Sequence, residues 1–166
     1  MTGNKDVKQL TRSAHHLLKR AAQYAATIYM DRVGKSGLTQ RQYTVLAAVN
    51  EHDGVSQTAL VRMTGIDRST LADLVARLLA QGYLQRRRSK DDGRANSVRI
   101  TAAGKRVLRA ASPGADDSDR LMLQAISPSL RKPFLEALAL LADEMDKLEN
   151  ASGKKLVLKI RPRRRA

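Results

Sequence analysis

Arg68-Ser69-Thr70, with Asp73 and Arg77 beyond, combines long cationic side chains with short hydrogen-bonding ones. Groups of that kind suit contacts with base edges and phosphate oxygens when the first turns of a helix enter a major groove. A second basic group follows, with Arg86, Arg87, Arg88 and Lys90 before a turn and Arg94 after it. Asp92-Gly93 favours a tight hairpin with positive backbone angles. Asp92 is then placed to pair with Arg94 or a nearby arginine and aim it. An arginine on a narrow projecting tip suits a minor groove, where negative potential concentrates. Each motif has a plain alternative: an amphipathic surface helix for the first, a solvated charge run for the second. No nucleophile, base and orienting residue fall into a catalytic set, and there is no phosphate-cradling glycine loop. An enzyme is therefore not expected.

The elements that must position these groups lie between Val55 and Thr101. A short helix carries Gln57, Thr58, Leu60, Val61, Arg62 and Met63, and Thr64-Gly65-Ile66 makes a turn. A second helix spans about Asp67 to Gln81, turns Leu71, Leu74, Val75, Leu78 and Leu79 inward, and is stopped by Gly82. The extended runs Tyr83–Arg88 and Asn96–Ile100 form a two-stranded wing. This is a winged helix-turn-helix order. Its candidate DNA contacts are Gln57, Thr58, Arg68, Ser69, Thr70, Asp73, Arg77, Arg86, Arg88, Lys90, Asp92 and Arg94.

The flanks are helical. From Lys8 to about Asp31 the residues Leu10, Ala14, Leu17, Leu18, Ala21, Ala25 and Ile28 recur by threes and fours, ending at Gly34 and Gly37. That face lacks Trp and Phe, which favours packing or dimerisation over membrane binding. Thr39 and Gln42 have the spacing of a capping box for a helix carrying Tyr43, Leu46, Ala47 and Val49 to near Glu51. His52-Asp53-Gly54 is a turn, and Ser56 and Thr101 are N-caps. The Thr101 helix runs to Pro113-Gly114, and Asp116 to Ile126 either continues it with a kink or forms a separate helix. Pro128 opens the last helix, where Pro133 bends it or delays its start. Leu130, Phe134, Leu138, Leu141, Met145 and Leu148 form its apolar stripe. That stripe is an expected dimer interface, with burial inside the subunit as the alternative.

Composition narrows the classes. The net charge is +15 over 166 residues, which favours a polyanionic partner, nucleic acid ahead of anionic membrane. There is no cysteine, so disulfides, thiol redox sensing and cysteine-ligated zinc are excluded. His15, His16 and His52 show no metal-ligand spacing. No apolar run approaches the roughly 20 residues that span a bilayer, and residues 1–10 lack a signal-peptide apolar region. A cytoplasmic protein without a metal or cofactor is expected. After Ala151-Ser152-Gly153, residues 154–166 carry only basic charge. Such a tail would add about 0.9 to the log–log salt slope for each phosphate neutralised, without reading sequence.

Asp92-Gly93-Arg94-Ala95-Asn96-Ser97-Val98-Arg99-Ile100-Thr101-Ala102-Ala103-Gly104 resembles the Asp-x-Arg wing and Thr-x-x-Gly helix start of the MarR family of bacterial regulators. Leu78 to Leu84 resembles that family's exit from its recognition helix. The likeness covers about Leu10 to Leu148 and leaves out the tail. It implies a mainly α fold with a small β-wing, a homodimer joined by its terminal helices, and a palindromic operator on double-stranded DNA. It also implies repression relieved by a small aromatic or carboxylated effector, or its thioester. Carried over, Arg94 is the minor-groove arginine and Asp92 its orienting partner. His15, His16 and Tyr43 are the candidate effector-lining residues, with a surface or interface histidine as the competing reading. The absence of cysteine excludes the family's peroxide-sensing branch. The expected organisation is a dimerisation helix in 1–37, the DNA-binding lobe in 38–101, dimerisation helices in 102–150 and a basic tail in 151–166. The rival function is a sequence-tolerant DNA-coating protein driven by the tail.

Overall fold

Local capping starts each helix of the DNA-binding lobe where the sequence places it. The computed structural model describes residues 11–34, 37–88 and 96–151. Lys90, Asp92, Arg94, Leu10 and the basic tail lie outside the described residues, as does the side chain of Arg88. The elements are α1 (Ala14–Val33), α2 (Gln40–Glu51), β1 (Val55–Ser56), α3 (Gln57–Thr64), α4 (Arg68–Ala80), β2 (Leu84–Arg88), β3 (Asn96–Ile100), α5 (Ala102–Gln124) and α6 (Pro128–Ala151). The chain divides into two units, Met1–Pro128 and Ser129–Ala166.

In the first unit, the capping box closes in both directions. The Gln42 N–H donates to the Thr39 hydroxyl at 3.3 Å, and the Thr39 N–H donates to Gln42 Oε1 at 2.9 Å. α2 buries Val45, Leu46 and Val49 against Leu60 of α3 and Leu71, Val75 and Leu78 of α4. Each of those side chains contributes roughly 1.5–3 kcal/mol by leaving water, so this cluster fixes the three helices. The wing is not two-stranded as expected. Val55 and Ser56 add a third strand, and the sheet order is β1-β3-β2. Val55 pairs with Val98 and Ser56 with Ser97, while β2 pairs from Leu84↔Ile100 to Arg88↔Asn96.

α1 starts later than its periodicity suggests. The Ser13 hydroxyl accepts from the His16 N–H at 3.4 Å and caps the helix before Ala14. The face that packs within the chain lies beside the expected apolar one. Tyr29 and Val33 are the buried residues of α1, while Leu17, Leu18 and Tyr24 are about half exposed. α1 packs along α5, and Arg32 reaches Asp117 of α5 at 3.5 Å.

Pro113-Gly114 does not end the helix that Thr101 opens. α5 passes through both residues without interruption to Gln124. A mid-helix proline removes a donor and crowds the preceding turn, costing roughly 3 kcal/mol. Pro113 meets solvent, while Leu108, Ala111, Ala115 and Ser118 around it are buried, and that burial offsets the cost. Gly114 supplies clearance: a Cβ there would stand 2.6 Å from the Arg32 carbonyl oxygen.

In the second unit, α6 starts at Pro128 with no delay and contains Pro133. Leu130, Leu135, Leu140, Leu141 and Met145 are 48–66% exposed, and no described residue of α6 is buried. Of the expected stripe, Leu130, Leu141 and Met145 are about half exposed or more, while Phe134, Leu138 and Leu148 are half-buried.

Candidate nucleic-acid interface

The helix-turn-helix is built from short-range hydrogen bonds. Ser56 ends β1 and caps α3, its hydroxyl accepting from the Ala59 N–H at 3.2 Å. Gly65 closes α3 at φ +63°, in the left-handed region that disfavours a side chain. The Thr64 hydroxyl donates to the Leu60 carbonyl at 2.7 Å and accepts from the Ile66 N–H at 3.3 Å. Asp67 then caps α4, accepting from the Thr70 N–H at 2.9 Å and the Ser69 hydroxyl at 2.7 Å. Hydrogen bonding from the Thr70 side chain, then from its N–H and from Ser69, holds the Asp67 carboxyl well below the usual carboxylate range.

This scaffold leaves Arg68, Ser69, Asp73 and Arg77 exposed on α4, opposite Leu71, Leu74, Val75 and Leu78. Thr70 is half-buried, and the Ser69 proton is committed to Asp67, which leaves the Ser69 oxygen as an acceptor. Thr58 is exposed and Gln57 half-buried at the start of α3. Arg86 is exposed on β2, opposite Val98, and the Arg88 backbone pairs with Asn96. A cleft of about 310 Å³ separates the start of α2 from the turn, lined in part by Arg41, Thr44, Gly65 and Asp67. Its wall carries both signs of charge, so it does not select an anion.

The three expected effector residues do not converge. Tyr43 donates to Ser112 Oγ of α5 at 3.4 Å and meets the Tyr29 ring edge-on, with centroids 6.3 Å apart. His15 is exposed and His16 half-buried at the opposite end of α1. From position 16 to 29 along one helix is roughly 20 Å at 1.5 Å per residue. Tyr29 is the residue the sequence reading missed. It is 4% exposed, and its hydroxyl is buried with no hydrogen-bond partner among the described residues. Burial, then the neighbouring Tyr43, pushes its phenol up to about 12, so it remains a proton donor at neutral pH. Its signal was the spacing to Val33, which continues a helical stripe one step to the side of Ala25 and Ile28.

Among the described residues, no three His, Asp or Glu side chains cluster as a metal site. No helix among them is long and apolar enough to cross a membrane.

A capped helix pair with a left-handed glycine turn, an exposed polar second helix and a three-stranded wing defines a winged helix-turn-helix DNA-binding protein. A model of the MarR family matches residues 36–95. The HTH-type transcriptional repressor NicR of Pseudomonas putida is 30% identical over 142 residues, covering 86% of this chain and 88% of NicR. The chain belongs to the MarR family of transcriptional regulators. Two solved structures share its fold over about four-fifths of this chain. One is BpsR of Bordetella bronchiseptica, whose DNA binding is regulated by 6-hydroxynicotinic acid. It has a TM-score of 0.76 and 26% identity, over 80% of this chain and 95% of BpsR. The other is the repressor CouR, from Rhodococcus jostii RHA1, bound to a 23-mer DNA duplex. It has a TM-score of 0.73 and 26% identity, over 81% of this chain and 95% of CouR.

Proposed function

We propose that this regulator is a homodimeric repressor that grips a palindromic operator and releases it when a small aromatic or carboxylated effector binds. The observation that carries the DNA reading is the outward face of α4. Arg68, Ser69, Asp73 and Arg77 have no part in the core, and they stand on the helix that the Asp67 cap and the Gly65 turn hold out to solvent. Thr58 and Gln57 are the candidate contacts on α3. Arg86, Arg88, Lys90, Asp92 and Arg94 remain the candidate wing contacts, with Arg94 in the minor groove.

The dimer follows from uncovered apolar surface. α6 exposes five large hydrophobic side chains, and α1 exposes Leu17, Leu18, Tyr24 and Met30. A monomer rarely leaves such faces in water, and a second copy of the chain covers them. Two lobes held about 34 Å apart would then enter successive major grooves.

For release, an effector must bind the DNA-free arrangement better than the DNA-bound one. The buried hydroxyl of Tyr29, whose ring meets Tyr43, offers a donor to a carboxylate or phenolic oxygen. 6-Hydroxynicotinic acid, which regulates BpsR, is an aromatic acid of that kind.

Sedimentation and mobility-shift measurements test the reading together. The expected result is a dimer that selects a palindrome from a random-sequence pool, and that still selects it after residues 154–166 are deleted. A monomer overturns the dimeric grip, and loss of all binding on deleting the tail favours sequence-tolerant coating.

A further inference from the structure

The wing is anchored to the reading helices by its pairing with β1 and by Leu84 and Val98, which are buried in the core that α2, α3 and α4 share. β3 pairs with β1 through Val55↔Val98 and Ser56↔Ser97. One residue further along β3, Arg99 reaches across to the turn before β1, and its guanidinium lies 3.1 Å from Asp53 Oδ2. The same guanidinium lies against Gly54, where a Cβ would stand 3.6 Å from its Nε. Gly54 adopts φ +78°, so the turn bends back beneath the arginine. Arg99 Nε is buried without a hydrogen-bond partner among the described residues. The side chain thus forgoes one hydrogen bond and is aimed by its bond to Asp53.

β1 runs directly into α3 through Ser56. A clasp between the turn before β1 and β3 therefore adds a polar tie between the wing and the helix-turn-helix. We infer that Asp53 and Arg99 are positioning residues for DNA recognition: their ion pair sets the pitch of the wing against α3 and α4, and neither residue touches DNA. This rests on the DNA reading proposed above.

The sign of one substitution separates this role from simple electrostatics. Removing an acid from a DNA-binding protein should tighten its hold on any duplex, because long-range repulsion falls. If Asp53 positions the wing, Asp53→Asn does the reverse for a cognate duplex. The test measures anisotropy titrations of the full-length protein over a range of salt concentrations. The probes are a duplex selected by the wild type from a random pool and an unselected duplex. Asp53→Asn should weaken the selected duplex by about two- to fivefold, the range that an exposed ion pair spans, and should not weaken the unselected one. Arg99→Gln should leave the salt slope unchanged for the selected duplex, and the double variant should lose no more than the worse single variant.

Tighter binding of both duplexes by Asp53→Asn would overturn the positioning role. A salt slope reduced by about 0.9 in Arg99→Gln would overturn it as well, by making Arg99 a phosphate contact. A wild-type protein that selects no sequence would overturn the DNA reading itself. Failure of the clasp alone leaves wild-type selection intact.

Discussion

Gly104→Ala inverts an ordinary rule. In an unconstrained helix the change stabilises by about 0.8–1 kcal/mol. At position 104 the new Cβ would stand 2.2 Å from the Tyr83 carbonyl oxygen and 2.8 Å from Ile100 Cγ1. A carbon and a carbonyl oxygen sit comfortably at about 3.3 Å, so the start of α5 must retreat by about 1 Å. The Tyr83 carbonyl cannot swing aside freely, because it accepts from the Thr101 N–H at 3.0 Å and the Thr101 hydroxyl at 3.2 Å. Overpacking of this kind costs about 1–3 kcal/mol, and stretching the Thr101 bonds adds about 1 kcal/mol. After the propensity gain, the net loss is about 2 kcal/mol. For a chain of 166 residues this lowers the melting midpoint by about 4–8 °C. Thermal unfolding monitored by circular dichroism checks it, at one fixed protein concentration because assembly shifts the midpoint. A midpoint that holds or rises would show that α5 can shift without cost, and would refute the close-approach argument.

Two titratable groups give further tests. The Asp67 carboxyl titrates lower in the folded chain than its unfolded value of 3.8. Its contribution is therefore complete above that value and fades as pH falls below about 4 toward the folded pKa. Asp67→Asn keeps a capping oxygen but cannot titrate, so it should flatten the acid limb of the stability curve. An unchanged limb in denaturant melts between pH 5 and pH 2 counts against the cap. Tyr29→Phe removes a buried hydroxyl that has no described partner, so stability at pH 7 should hold or rise by about 1 kcal/mol. The Tyr29 phenol is raised from 10.0 to about 12 in the folded chain, so its contribution is complete below pH 10 and lost between pH 10 and 12. The variant should lack that part of the alkaline decline, and a clear loss of stability at pH 7 would reveal a partner for the hydroxyl.

What the sequence made legible was whatever is decided within a few residues. The Thr39–Gln42 box, the Ser56 and Thr101 caps and the Gly65 turn all depend on groups three or four positions apart, and each forms where expected. Ser69 and Thr70 were legible as residues but not as partners of Asp67. β1 was hidden because two residues carry no periodicity, and its strand character comes from β3, over forty residues away. Pro113 left two readings open because its local cost is visible in the sequence while the burial that offsets it is not. Which face of α1 packs inside the chain was not legible for a related reason. Small residues along that helix form several apolar stripes, and tertiary packing alone selects the one with Tyr29 and Val33.

Thr101 ties the base of the hairpin to the start of α5. Its hydroxyl donates to the Gly82 carbonyl at 2.7 Å and accepts from the Gly104 N–H at 3.0 Å, so the base of the hairpin and the first turn of α5 share one hinge pin. Each strand of the hairpin has five residues, about 17 Å of lever at roughly 3.3 Å per residue. Tilting α5 by about 5° would then sweep the far end of that lever by about 1.5 Å. A shift of that size is about half a hydrogen-bond length. A small leverage angle at one threonine can thus be read as a displacement at the other end of the hairpin.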